Sequence, residues 1–254
     1  LQNVLKKNVT NKLIDKIYLL NERIYTDNEL DISSNKISQI SIDKRLQFSF
    51  FFNFIKENNI IGFNILANAD IFFDNSIANL NKSDIDINKK MFALLRYEYM
   101  NQENLADCYL YGSTEYYIKN VKGKSKSELP NIEGNPASND TWIIHSNNKL
   151  TDKEIKLFNF ELGKQGCDNK IIYLFKLLGY DIYNDTDFIK TYHNHKGFSK
   201  NRNYSNNLTE MPPWGLLFPS CVKLEKVQLS VLDVDLTNTL FDNNYLKILH
   251  YFPY

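Results

Sequence analysis

Glycine and proline are scarce in this chain, nine and six among 254 residues, and the glycine-dependent phosphate loops are missing. There is no Gly-x-Gly-x-x-Gly and no Gly-x-x-x-x-Gly-Lys-Ser/Thr, which weighs against dinucleotide oxidoreductases and P-loop NTPases. No Gly-x-Ser-x-Gly elbow argues for a hydrolase. Cysteine is rarer still: Cys108, Cys167 and Cys221 are far apart and form no Cys-x-x-Cys pair. Neither a disulfide framework nor a zinc ribbon is indicated, and a reducing, cytoplasmic setting is expected. Excess charge of one sign is absent, with 30 basic against 30 acidic residues, so no global field would draw nucleic acid, which is not expected as a partner. No apolar run approaches the ~20 residues of a membrane span, and the amino terminus lacks a signal-peptide layout. The chain starts at Leu1 rather than Met, so it is expected to be a fragment of a longer protein.

What is present is an alternation of short apolar runs and amphipathic stretches, which predicts one α/β unit with a mixed, mainly parallel sheet flanked by helices. Ile17 to Leu20 reads as a first buried strand, Lys36 to Ile42 as a second, and the stretch from Gly62 to Asp74, whose apolar run stops at Asn68 and Asp70 and resumes with aromatic residues, as a third. Between the last two, Phe48, Phe51, Phe52, Phe54 and Ile55 recur at helical spacing. A short helix is expected near 76–80 and a strand over 91–97. Residues 122–137 read as a long loop, of the kind that closes over a ligand or is disordered. Order returns in a strand over 139–145 and a helix capped by Thr151 and Glu154. Asp168 is placed as the N-cap of a further helix that Gly179 ends. Strands at 180–184 and 188–195 follow. The predicted organisation is a leading helix or linker (1–14), the main domain (15–219), and a C-terminal extension packed on it (220–254).

Polar groups recur where apolar runs stop: Asn21, Glu22 and Arg23; Asn68 and Asp70; Asp168 and Asn169; His193 and His195. The carboxyl ends of parallel strands share one sheet edge, where ligands bind, so these groups are expected to converge. Asp70 with a histidine makes an oxygen-and-nitrogen site for Mn²⁺ or Mg²⁺, ions that take few protein ligands and leave room for phosphate. Simpler roles stand beside these: an Asx turn at Asn68 and Asp70, core or surface histidines, a helix cap for Asp168. Arg96, Arg202, Lys190 and Lys196 are candidate phosphate partners or solvated charges. Trp142 is expected in the core, and Trp214 there or against a sugar or base.

Three motifs in this order resemble the GT-A type of glycosyltransferase. Asn68-Ala69-Asp70 after a buried strand is similar to its Asp-x-Asp motif. Gly166-Cys167-Asp168-Asn169 opening a helix is similar to its acceptor-side acid motif. The late Thr191-Tyr192-His193-Asn194-His195 is similar to the segment supplying its metal-site histidine. The combination also resembles uncharacterised glycosyltransferase-like proteins of large DNA viruses and some bacteria, over residues 15 to 215. The resemblance implies a nucleotide-sugar donor, a hydroxyl acceptor on a glycan, protein or small molecule, and a metal held by Asp70 with His193 or His195. It places Asn21, Glu22, Arg23, Asp43 and Asn68 near the nucleotide and, if the reaction inverts the anomeric centre, makes Asp168 the general base. Asn68 departs from the motif's first aspartate. A catalytically inactive carbohydrate- or nucleotide-binding module, or a metal-dependent nucleotidyltransferase, is the alternative expectation.

Overall fold

The computed structural model describes residues 2–87, 89–100, 104–120, 134–194, 210, 213–217 and 219. His195, Lys196, Arg202, Cys221, most of the expected loop at 122–137 and the extension at 220–254 lie outside the described residues.

Of the two alternatives for the leading segment, the helix is observed: α1 (Gln2–Thr10) buries Val4. Asn8 and Asn11 donate to the carbonyls of Ile71 and Phe73 at 2.9 and 3.2 Å, tying the helix to the body. Strands β1 (Ile17–Asn21) and β2 (Ile37–Ser41) pair in parallel as a sheet of their own. Between them lies α2 (Asp27–Leu30), held by a capping box of Thr26 and Glu29. The phenylalanine-rich stretch is α3 (Phe48–Glu57), with Phe48, Phe51 and Phe52 buried.

The chain then passes repeatedly between two four-stranded sheets. Strand β3 (Phe63–Ala67) hands over through Asn68, Ala69 and Asp70 to β4 (Ile71–Phe73), followed by a 3₁₀ helix over Asn75–Lys82. Strand β5 (Lys90–Leu94) hands over through Leu95 and Arg96 to β6 (Tyr97–Glu98). The single strands expected over 62–74 and over 91–97 are therefore each two strands in different sheets. Over 91–97 the cause is local: the Asn184 side chain takes the Leu95 N–H at 2.9 Å and the Thr191 hydroxyl bonds the Leu95 carbonyl at 3.3 Å. Those side chains stand in for ladder bonds, which frees the backbone to turn.

After β7 (Tyr109–Leu110) and α4 (Thr114–Asn120) come β8 (Thr141–His145), α5 (Asp152–Leu157), α6 (Cys167–Leu177), β9 (Asp181–Tyr183) and β10 (Thr191–His193). One sheet has the order β3-β8-β5-β9 and the other β4-β10-β6-β7. Both are mixed: β5–β9 and β6–β10 run parallel, whereas β8 opposes both its neighbours, β10 opposes β4, and β6 opposes β7. The fold is thus mixed α/β, with helices against the sheets.

The alternation along β5 and β8 builds two cores from one sheet. Met91, Ala93, Trp142 and Ile144 pack against α3, α5 and α6. Phe92, Leu94 and Ile143 pack on the other face with Ile71, Phe73, Ile77 and Ile189. Trp142, 1% exposed, is a core residue as expected. Phe72 and Tyr192 of the second sheet pack with Val4 of α1.

Candidate functional site

At the seam where the chain changes sheets, six side chains form a line of contacts whose two ends, Asn68 and Asp70, are joined through the backbone into a ring. The Asn68 amide donates to Asp140 Oδ1 at 2.5 Å. Asp140 Oδ2 receives the Arg96 guanidinium. Arg96 Nε donates to Glu98 Oε1 at 3.0 Å. Glu98 Oε2 meets His193 Nδ1 at 3.0 Å, and His193 Nε2 meets Asp70 Oδ2 at 3.0 Å. Asp70 lies two residues from Asn68, and the charged side chains are only 10% to 18% exposed.

Each member sits at a strand terminus, and the backbone fixes the edges. Asn68 N–H donates to the Asp140 carbonyl at 3.0 Å, Asp140 N–H to Leu94, and Asn194 N–H to Asp70. Glu98 and His193 stand opposite each other in the β6–β10 ladder. The ring of Tyr111 covers the Arg96 guanidinium at 3.9 Å, and Ser138 accepts from it at 2.7 Å. Such stacking suits a planar, weakly hydrated cation.

The electrostatics follow from this enclosure. Burial pushes the Asp70 carboxyl up, but the hydrogen bond and charge of His193 outweigh it and the net direction is down. Glu98 goes down for the same opposing reasons, with Arg96 adding to His193. Burial lowers His193, yet the two carboxylates on its nitrogens win and raise it to about 9. Arg96 is raised by Asp140 and Glu98 against a large burial effect. The ring sets two cations against three carboxylates, so a net negative charge remains.

Asp168 adjoins this ring, although not as the sequence places it. The helix cap is Gly166, whose φ of +83° lies in the left-handed region, and its side-chain-free Cα leaves room for the Trp214 ring, which an added Cβ would approach to 3.2 Å. Asp168 lies in the first helical turn. Burial and the neighbouring Asp140 charge raise its carboxyl to about 7, against bonds from the Cys167 thiol and the Asn139 N–H and the pull of Arg96. The residue as a whole is half-buried, and burial is the largest influence on its carboxyl. Trp214 instead seats on the start of α6 and donates to the Glu210 carbonyl at 3.1 Å.

The structure therefore brings Asn68, Asp70, Asp168 and His193 to one place. Asn21, Glu22, Arg23 and Asp43 make their described side-chain and backbone contacts within the β1–β2 unit. Asn21 reaches Gln39, Arg23 pairs with Glu29 at 2.6 Å, and Ser41 bonds both the Glu22 carbonyl and the Asp43 carboxylate. Lys190 lies near Asp187 and over the Tyr97 ring. Sequence reasoning missed Glu98 entirely; the signal available was a charged pair, Arg96 and Glu98, two residues apart where a buried run ends.

Among the described residues no group of three or more His, Cys, Asp or Glu side chains is arranged to hold a metal ion. Asp70 and His193 nevertheless make a suitable pair for a small hard cation that keeps waters or phosphate in its other positions. The 3.0 Å contact between Asp70 and His193 is a hydrogen bond, which a cation held by this pair would have to replace. A carboxylate behind the other ring nitrogen is the usual support of a metal-bound histidine, and Glu98 occupies that position.

Comparisons with protein-family models, with curated proteins and with solved structures found no match for this chain. Among the described residues no helix is long and apolar enough to cross a membrane.

Proposed function

We propose that this chain is a GT-A-type glycosyltransferase that moves a sugar from a nucleoside-diphosphate sugar to a hydroxyl acceptor. The observation that carries the reading is the Asp70–His193 contact at 3.0 Å, backed by Glu98: ligands from two distant segments, with a supporting carboxylate, at a strand terminus of an α/β fold. Asp70 and His193 would hold Mn²⁺ or Mg²⁺. Once bound, that ion would neutralise negative charge on the departing nucleoside diphosphate.

The remaining chemistry belongs to the chain's own side chains. Asp168, raised to about 7, is poised near neutrality to take the proton of the acceptor hydroxyl. The acceptor oxygen forms its bond to the anomeric carbon as the bond from that carbon to the diphosphate breaks, the electron pair leaving with the diphosphate. Arg96, pinned between Asp140 and Glu98, holds the carboxylates in place and is not free to follow the substrate.

Asn68 favours a second reading. With an amide in place of the motif's first carboxylate, and that amide bonded to Asp140, a module that binds nucleotide or sugar without turning it over fits the same side chains. Hydrolysis of a panel of nucleotide sugars with Mn²⁺, beside calorimetric titration with uridine and guanosine diphosphates, separates the two. Metal-dependent diphosphate binding with donor turnover is expected of the enzyme. Binding alone supports the module, and neither, at millimolar ligand, removes both readings.

A further inference from the structure

Asn184, 0% exposed, uses both ends of its amide on segments far apart in the chain. Its Oδ1 accepts the Leu95 N–H at 2.9 Å and its Nδ2 donates to the Leu217 carbonyl at 2.9 Å. Leu95 is where the chain leaves β5 for β6, so its placement fixes where Arg96 and Glu98 stand. Leu217 belongs to a strap, residues 213–217, that runs along the first turns of α6, the helix carrying Asp168. We propose that Asn184 is a positioning residue that couples this strap to the charged ring, so that Arg96 is held in place only while the strap is docked. The inference deepens the reading above and rests on it for its functional meaning: the donor site is complete only with the strap seated.

The strap is closely fitted to α6. Gly215 N–H donates to the Asn169 carbonyl at 2.9 Å, and the Asn169 amide returns to the Gly215 carbonyl at 3.0 Å. A Cβ on Gly215 would come within 3.0 Å of Ile172 Cγ2 and 3.1 Å of the Tyr173 nitrogen. Leu217 is fully buried and gives its N–H to the Pro136 carbonyl at 3.1 Å. The coupling comes from the Asn184 amide itself. A backbone donor at one end and a backbone acceptor at the other leave it one orientation. The group is planar and rigid, so it cannot follow a departing Leu217 without drawing its oxygen away from Leu95. The Leu95 N–H would then be buried and unpaired, which is costly. If Asn184 served only to stabilise the fold, undocking the strap would leave the contacts of Arg96 as they are.

Gly215→Val forces the strap off α6 while leaving Leu217, Asn184 and the ring unaltered. ¹H–¹⁵N spectra of the full chain, without metal, read the two ends separately. The Trp214 indole, identified by its loss in Trp214→Phe, reports the strap. The Arg96 Nε–H, identified by its loss in Arg96→Lys, reports the bond to Glu98. Both signals should move, Trp214 toward the shift of an exposed indole and Arg96 toward that of an unbonded guanidinium. The indole of Trp142, in the core, should stay at its parent position and show that the chain is folded. Leu217→Asp, which puts a charge on the strap's buried anchor, serves if the valine variant does not fold or leaves Trp214 in place. Asn184→Ala should by itself move the Arg96 signal, and Gly215→Val added to it should move that signal no further. An Arg96 signal at its parent position in a folded chain whose Trp214 signal has moved overturns the proposal. So does a valine effect on Arg96 that Asn184→Ala does not diminish. Calorimetry with uridine diphosphate and Mn²⁺ should show affinity lost in Gly215→Val. Coupled movement of Trp214 and Arg96 in a chain whose parent binds neither ligand upholds the positioning and removes the donor-site reading instead.

Discussion

Arg96 and Asp140 meet across the seam between the two sheets, and the same guanidinium reaches Glu98 through Nε. Arg96 is the one cation in the ring that cannot lose its proton, so it offsets two buried carboxylates at every accessible pH. Removing it leaves Asp140 with the Asn68 amide and no cation, and Glu98 with His193 alone. Arg96→Met should cost ~3–5 kcal/mol, the usual cost of leaving buried charges without their partner. For a chain of this size that lowers the thermal midpoint by ~10 °C, read by calorimetry. Arg96→Lys should recover only part, because an ammonium cannot span Asp140, Ser138 and Glu98 with fixed, forked geometry. A methionine variant that melts with the parent would show that the ring contributes nothing to stability.

Asp168 predicts a stability that depends on pH with a definite sign. Burial, then the charge of Asp140, lifts its carboxyl to about 7 from an ordinary value of 3.8. A carboxyl raised in the folded state favours folding while protonated: its contribution is complete below about pH 4 and is lost as pH rises through about 7. Asp168→Asn cannot ionise. It should match the parent near pH 4 and exceed it by a few kcal/mol near pH 8 in urea titrations. A parent that equals the variant at both pH values would mean the carboxyl is ordinary, and the case for it as a base near neutrality would go with it.

The raised imidazole makes a prediction for cation binding. His193 stands at about 9 because its bonds to Asp70 and Glu98 outweigh burial, which acts the other way. A proton on Nε2 and a metal ion compete for the same lone pair, so binding must release the proton. Mn²⁺ affinity should therefore rise roughly tenfold per pH unit from about pH 6.5 to about 9 and then level off. Titrations in two buffers of different ionisation enthalpy should count about one proton released per ion. An affinity flat across that range would exclude His193 as the ligand.

The site's two ends were legible in the sequence for one reason and its middle was hidden for another. Asp70 and His193 follow apolar runs, the pattern of a strand delivering a side chain at its carboxyl end. Asp140 precedes its strand. It reaches the same edge because β8 runs against β3, with Thr141 opposite Ala67, and no local signal reveals the direction of a strand. Glu98 was lost because the run from Met91 to Tyr97 read as one strand, while Asn184 and Thr191 divert the backbone at Leu95. Asn21, Glu22, Arg23 and Asp43 sit at the carboxyl ends of parallel strands as expected, yet in a two-stranded sheet of their own. Helix positions read more easily: the Thr151 capping box and the left-handed Gly179 that closes α6 both stand where their residue types put them.

Asn68 poses the sharpest test of how the ring distributes its charge. Its amide donates to Asp140 Oδ1 at 2.5 Å, so a carboxylate is present at this corner, supplied from the residue before β8 rather than from the β3 turn. Asn68→Asp would restore the acid of the resembled motif but would bring two carboxylates together. It should lower stability by ~1–3 kcal/mol and raise the proton affinity of the pair. Adding Asp140→Asn reverses the hydrogen bond without breaking it: the amide now before β8 donates to the carboxylate now at the β3 turn, and its oxygen accepts from Arg96. The double variant should recover most of the loss, a coupling of ~1–2 kcal/mol in the double-mutant cycle. If the two changes simply add, the side chains of Asn68 and Asp140 are independent, and the ring is a set of neighbours rather than one charge-sharing unit.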